Sequence, residues 1–187
     1  MKAEWDSVFR KRMEAHFDEM KWLYGELYHN DSRAFSYFCT TLYQYYQSRS
    51  GELKALDRKR LEKPDWYKDN DMLGMLMYTS AFAGTLQGVK KHIAYLQECG
   101  VNYVHLMPLL QSPKGRSDGG YAVSDFRTVQ PELGTMEDLT ELSAECHRRG
   151  MSVCLDFVMN HTSEDHEWAR RARAGEKVFQ DGYFLFD

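Results

Sequence analysis

The sequence predicts a mixed α/β chain in which an all-helical front unit precedes the opening strands and helices of a parallel barrel that stays incomplete. Three observations predict this. Up to about residue 70, apolar residues recur at helical spacing. From Met72 onward, compact apolar runs of strand length alternate with amphipathic stretches. Gly100 and Gly150 each close such a stretch directly ahead of an apolar run. Strands and helices connected in that way form βαβ units and a parallel sheet.

In order along the chain, Trp5, Val8, Phe9, Met13, Phe17, Met20, Tyr24 and Leu27 place one long amphipathic helix over 4–28. After "HNDS", with Asp31 or Ser32 as cap, Phe35, Phe38, Leu42, Tyr45 and Tyr46 repeat the pattern. A short third helix over "ELKALDRKRL" ends before Pro64. The Tyr and Phe stripe is expected to be packing core, and "DRKRLEK", with its interleaved acids, a solvated helix face. "MLMYTSAF" is expected as the first strand. Gly84 and Thr85 then lead into a helix on Leu86, Val89, Ile93 and Leu96. "VNYVHLMP" is the second strand, cut off by Pro108, and a long polar loop is expected over 109–134. Thr135 caps the next helix with Asp138 as its capping-box partner, and "MSVCLDFV" is the third strand.

The third strand carries small and polar Ser152, Cys154 and Asp156 on one face and Val153, Leu155 and Phe157 on the other. An open doubly wound sheet would be apolar on both. One small, partly polar face suits a strand looking into a barrel, with the bulky face against helices. Three strands cannot close a barrel, so the chain is expected to be the front piece of something larger. The expected domains are a helical unit over 1–72 and the first part of a barrel over 73–187.

Apolar residues make up 43% of the 187 and aromatics 14%, a folding composition. The formal net charge of −4 is carried after residue 72, and no basic half or stripe exists, which argues against a nucleic-acid partner. Cys39, Cys99, Cys146 and Cys154 are widely spaced with no CxxC, the usage of reduced thiols in a cytoplasmic protein. No apolar leader region and no membrane-length apolar window is present, so no membrane association is expected.

Ligands of parallel α/β folds sit beyond the carboxyl ends of the strands. Two polar stretches fall there. In "DFVMNHTSEDHEW", His161 and His166 lie five apart, off one helix face, and no HExxH occurs, so a metal centre would need ligands from elsewhere. Thr162 or Ser163 as N-cap, with Glu164, Asp165 and Glu167 at the positive helix end, accounts for the later acids. Asp156, Asn160 and His161 are left over. Asp156 either anchors the loop by accepting backbone N–H groups or serves a ligand. In "SDGGYAVSD", the two glycines permit tight backbone, Tyr121 offers a flat apolar face, and Asp118 offers acceptors for hydroxyls. A surface glycine-rich turn is the plainer reading. No Walker A or GxGxxG pattern is present.

"DFVMNH" resembles the DxxxNH pattern at the third barrel strand of the α-amylase superfamily, retaining glycosidases and transglycosidases on a (β/α)8 TIM barrel. "YVHLMPL" and "SDGGYAVSDFRTVQPELGTMEDL" are similar to the second-strand region of its amylosucrase branch. "LKALDRKRLEKPDWY" resembles the end of the all-helical N-terminal domain of that branch. The resemblance spans about residues 35–187. It implies an all-helical N-terminal domain, then the first three strands and two helices of the barrel, with the loop domain after the third strand starting near 162. It implies a retaining double displacement on sucrose, with the glucosyl unit passed to an α-glucan or oligosaccharide acceptor, and no cofactor.

By the same resemblance, Asp118 and Tyr121 line the glucosyl subsite, His161 hydrogen-bonds a glucosyl hydroxyl, and Asp156 and Asn160 support the third-strand loop. The nucleophile, general acid and stabilising carboxylate belong to motifs after strands four, five and seven. All three are expected beyond Asp187. No catalytic residue and no metal ligand is therefore assigned within 1–187, Asp187 itself included, and the chain alone is expected to be inactive. A sucrose hydrolase or other α-glucosidase stays open, as does a truncated, non-catalytic sugar-binding protein.

Overall fold

In the computed structural model, which describes residues 6–28 and 30–183, the front of the chain is built of three helices whose ends are set by their caps. These are α1 (Ser7–Tyr28), α2 (Ser32–Ser48) and α3 (Gly51–Glu62). Asp31 starts α2 by accepting from the backbone N–H groups of Arg33 and Ala34 at 2.9 and 3.0 Å. Ser50 starts α3 by accepting from Leu53 N–H, and α3 stops ahead of Pro64. Phe9 of α1 lies against Tyr43 and Tyr46 of α2, both with ring centroids 5.1 Å away, around buried Cys39. The aromatic stripe is therefore packing core in part, while Leu27 and Tyr45 remain exposed. The face of α3 is solvated, with Asp57 taking Arg49 at 3.0 Å. Trp5, which the helical stripe includes, lies outside the described residues. So does Asp187.

A second compact unit begins at Tyr67, earlier than the 72/73 boundary expected from the sequence. Within this unit Asn102 holds the segment that leads into the first strand. Its amide nitrogen donates to Asp71 O at 2.6 Å, and its amide oxygen accepts Leu73 N–H at 3.0 Å. Its own carbonyl accepts Ser152 N–H at 2.8 Å. One residue thus ties the approach segment to two strands.

The sheet of this unit holds β1 (Gly74–Met77), β2 (Tyr103–Leu106) and β5 (Ser152–Leu155), all parallel, in the order β1-β2-β5. Met75, Met77, Val104, Leu106 and Val153 point to one face. They form one core with Leu86 and Val89 of α5 (Leu86–Lys91), Ile93 and Leu96 of α6 (Ile93–Glu98), and Leu139, Leu142 and Cys146 of α7 (Met136–Arg148). Burying such side chains is worth about 1.5–3 kcal/mol each. Leu76, His105 and Cys154 share the opposite face in one register row. Leu76 there is 59% exposed, while His105 and Cys154 are part-covered. Three parallel strands of an incomplete barrel are what the alternation on the third strand predicts. Thr135 and Asp138 form the expected capping box on α7, and Gly100 and Gly150 take positive φ at the two helix ends.

Four expectations change. The first strand ends at Met77, and Thr79–Ala83 turns into a short helix, α4. The expected single helix after it is broken at His92, whose Nδ1 lies 2.8 Å from Gly88 O. Residues 109–134 are not simply a polar loop. Leu109, Val123 and Val129 are buried, and β3 (Leu110–Gln111) pairs antiparallel with β4 (Asp125–Val129) as a side ribbon. Finally, the helix after the third strand, α8 (Glu167–Arg173), starts later than Thr162 or Ser163 would set it. Its cap is His166, whose Nδ1 accepts Trp168 N–H at 3.1 Å. A four-residue helix, α9 (Lys177–Gln180), follows.

Candidate functional site

Two segments meet beyond the carboxyl ends of β2 and β5: the turn around 117–123 and the stretch 156–166. Their approach is fixed by backbone and side chains together. Ser163 N–H donates to Val123 O at 2.8 Å. Arg116 reaches Glu164 and Asp165, the latter at 2.8 Å. Glu164 and Asp165 therefore hold the neighbouring loop and do not sit in the first turn of a helix. His166 is buried edge-on between Phe126 and Trp168, with centroids 5.6 and 5.4 Å away. That burial pushes its imidazole pKa down, against the pull of Asp125.

The turn carrying Asp118 and Tyr121 needs its glycines. Asp118, Gly119 and Gly120 all have positive φ, at 49°, 67° and 96°. A Cβ on Gly120 would stand 2.8 Å from Pro108 Cβ, so the backbone packs onto the residue that ends the second strand. Asp118 in this left-handed conformation is a strained position of the kind that clusters at ligand sites. Its side chain is exposed.

Asp156 is the most connected group of the site. Tyr121 Oη donates to its Oδ2 at 2.9 Å, and His105 Nε2 lies 2.8 Å from its Oδ1. Both partners are side chains from other segments, so Asp156 does not act by accepting backbone N–H groups. Burial pushes the Asp156 carboxyl up, but the bonds from His105 and Tyr121 outweigh it and hold it below its ordinary range. The bond to Asp156, with burial next, pushes the Tyr121 phenol up. At neutral pH the geometry is an ionised carboxylate accepting two hydrogens. Asn160 Nδ2 donates to His161 Nδ1 at 3.1 Å, which leaves the His161 proton on Nε2, in solvent. Among the described residues no hydrogen bond joins this pair to the Tyr121–Asp156 pair.

The structure thus brings Tyr121 to Asp156 and Asn160 to His161, while Asp118 shares the turn of Tyr121, its carbonyl accepting Tyr121 N–H at 3.1 Å. Sequence reading misses His105. The available signal is polar alternation in "YVHL", which sets His105 apart from buried Val104 and Leu106. Among the described residues no group of three His, Cys, Asp or Glu is gathered as for a metal ion, and no helix is long and apolar enough to cross a membrane.

A parallel β/α sheet with polar side chains gathered beyond the carboxyl ends of its strands has the architecture of the opening segment of a (β/α)8 barrel. The chain belongs to the α-amylase family, whose profile "Alpha amylase, catalytic domain" matches residues 62–187. Helices α1 and α2 precede that match. Maltase 1 of Drosophila virilis is 38% identical over 124 residues, covering 66% of this chain and 18% of its own length. Trehalose synthase of Thermus thermophilus is 40% identical, covering 66% and 13%. A mutant isomaltulose synthase from Erwinia rhapontici, solved with its natural substrate sucrose, superposes with a TM-score of 0.59 at 30% identity, covering 65% of this chain and 22% of its own. The chain spans no more than about a fifth of the length of these curated relatives.

Proposed function

We propose that the complete protein is an amylosucrase-like glucosyltransferase, and that this chain supplies its helical N-terminal domain and the glucosyl-side wall of its pocket. Residues from about 162 begin the loop domain that follows the third strand. The bond between Tyr121 and Asp156 carries this reading. It joins the two motifs that the sequence singles out, "SDGGY" and "DFVMNH", into one wall above the sheet. Tyr121 stacks on the glucosyl ring, Asp118 accepts hydrogens from its hydroxyls, and His161 Nε2–H donates to another. The complex of a family relative with sucrose supports a sucrose-sized occupant.

The reaction is a double displacement: a carboxylate attacks the glucosyl carbon, fructose leaves as a general acid protonates it, and an acceptor sugar displaces the enzyme. Those carboxylates are expected from motifs following Asp187. Relatives named maltase and α-glucosidase favour a second reading, transfer to water. Incubating the full-length protein with sucrose separates the two. Insoluble α-glucan is expected, and free glucose alone would defeat the transferase reading. In the same protein Tyr121→Ala should lower kcat/KM by about tenfold or more. Unchanged kinetics would remove the assigned wall.

A further inference from the structure

His105 has no part in the reading above, yet it sits where that wall is anchored. It lies on β2, in the register row of Leu76 and Cys154, on the face opposite the helix-packed core. A polar side chain in the middle of a short parallel strand calls for a partner, and here the partner is Asp156, two residues beyond Cys154 on the neighbouring strand. Asp156 N–H also donates to Leu106 O at 3.3 Å, so backbone and side chain hold it against the same strand. Of the two carboxylate oxygens, one is taken by the imidazole and the other by the Tyr121 hydroxyl. A carboxylate held on one oxygen has a defined plane, and that plane sets where the phenol donates.

We propose that His105 is the positioning residue of the pocket: through Asp156 it fixes the hydroxyl, and with it the ring plane, of Tyr121. The order of the chain of bonds is strand, carboxylate, platform. His105 itself contacts no sugar. A platform that stacks on the glucosyl ring in both ground and transition state contributes uniform binding, so its misplacement raises KM and spares kcat. A merely structural loss lowers the folded fraction and shows as a lower kcat. The proposal rests on Tyr121 facing the sugar, and its test separates the two ideas.

In the full-length protein, His105→Leu is expected to raise KM about tenfold, for sucrose and for an aryl α-glucoside alike, with kcat within about threefold. His105→Gln, whose amide nitrogen reaches nearly as far as Nε2, should restore KM to within about threefold, whereas His105→Asn, with a shorter reach, should not. The Gln and Asn pair carries the comparison if the Leu variant does not fold. In a Tyr121→Phe background His105→Leu should add less than about twofold, because the hydroxyl it acts through is gone. A lower kcat with unchanged KM, equal behaviour of Gln and Asn, or full additivity overturns the proposal. A ligand-free readout stands apart from substrate. With ring-labelled tyrosine, the Tyr121 signal, assigned by its loss in Tyr121→Phe, should move in His105→Asn and stay in His105→Gln. A signal unmoved in both ends the positioning role, whatever the substrate. Normal kinetics in Tyr121→Ala, by contrast, end the functional reading.

Discussion

Asp156 and His161 are separated by four residues of one loop, yet the structure treats them differently. Asp156 is half-buried and bonded to side chains from two other segments. His161 is exposed and, among the described residues, bonded only to its neighbour Asn160. Within a single polar stretch, one group is built into the frame and the other is presented from it. Removing the first should cost architecture and recognition together, and removing the second should cost recognition alone.

The largest effect is expected from Asp156→Ala, which strands the His105 imidazole and the Tyr121 hydroxyl at once. Stability should fall by about 2 kcal/mol and kcat/KM by about a hundredfold, read by denaturant unfolding and kinetics of the full-length protein. A fully stable variant would erase the contrast. His161→Ala should lose about tenfold in kcat/KM while leaving the unfolding midpoint in place. A midpoint that drops as far as in Asp156→Ala would break the comparison from the other side.

Acid sharpens it further. Burial lowers the His166 pKa, so the fold prefers the neutral ring facing Asp125, Glu167 and Arg170. Its contribution is full above the ordinary value of 6.5 and is lost as pH falls from there to the folded value. The Asp156 carboxyl is lowered as well, so its contribution holds above 3.8 and fades as pH falls through its lower folded value. Melting temperature against pH should therefore lose its decline beginning near 6.5 in His166→Gln, and its decline below 3.8 in Asp156→Asn. Declines that persist in the matching variant would dissociate these side chains from acid sensitivity. The smallest effect belongs to Asn160→Ala. It should change stability by less than about 0.5 kcal/mol and kcat/KM by about threefold, through loss of the donor that sets the His161 tautomer. A loss as large as that of His161→Ala would make Asn160 a sugar contact in its own right.

Local signals carry much of this into the sequence. The capping box of Thr135 and Asp138, the closing glycines Gly100 and Gly150, and the polar face of the third strand are properties of a few adjacent residues, and each is found in place. The pairing of Tyr121 with Asp156 is half legible: both residues stand out, but their bond depends on which strand lies beside which. His105 stays hidden for that reason, since its partner is 51 positions away and only the parallel register joins them. The ribbon within 109–134 escapes a sequence reading because three scattered apolar residues, Leu109, Val123 and Val129, show no period. His166 is equally hard to place, because imidazole is an uncommon helix cap and its role rests on the rings around it.

Asn102 has a consequence for how this segment tolerates inherited change. By gripping Asp71, Leu73 and Ser152 it pins all three strands to one register. Side chains alternate along a strand, so gaining or losing one residue between Asn102 and His105 would swap parity and turn the imidazole toward the helices. The exposed turn at Lys114 and Gly115 has no such parity to keep. Length variation should accumulate there, while the strand accepts exchanges of residue type but never of residue number.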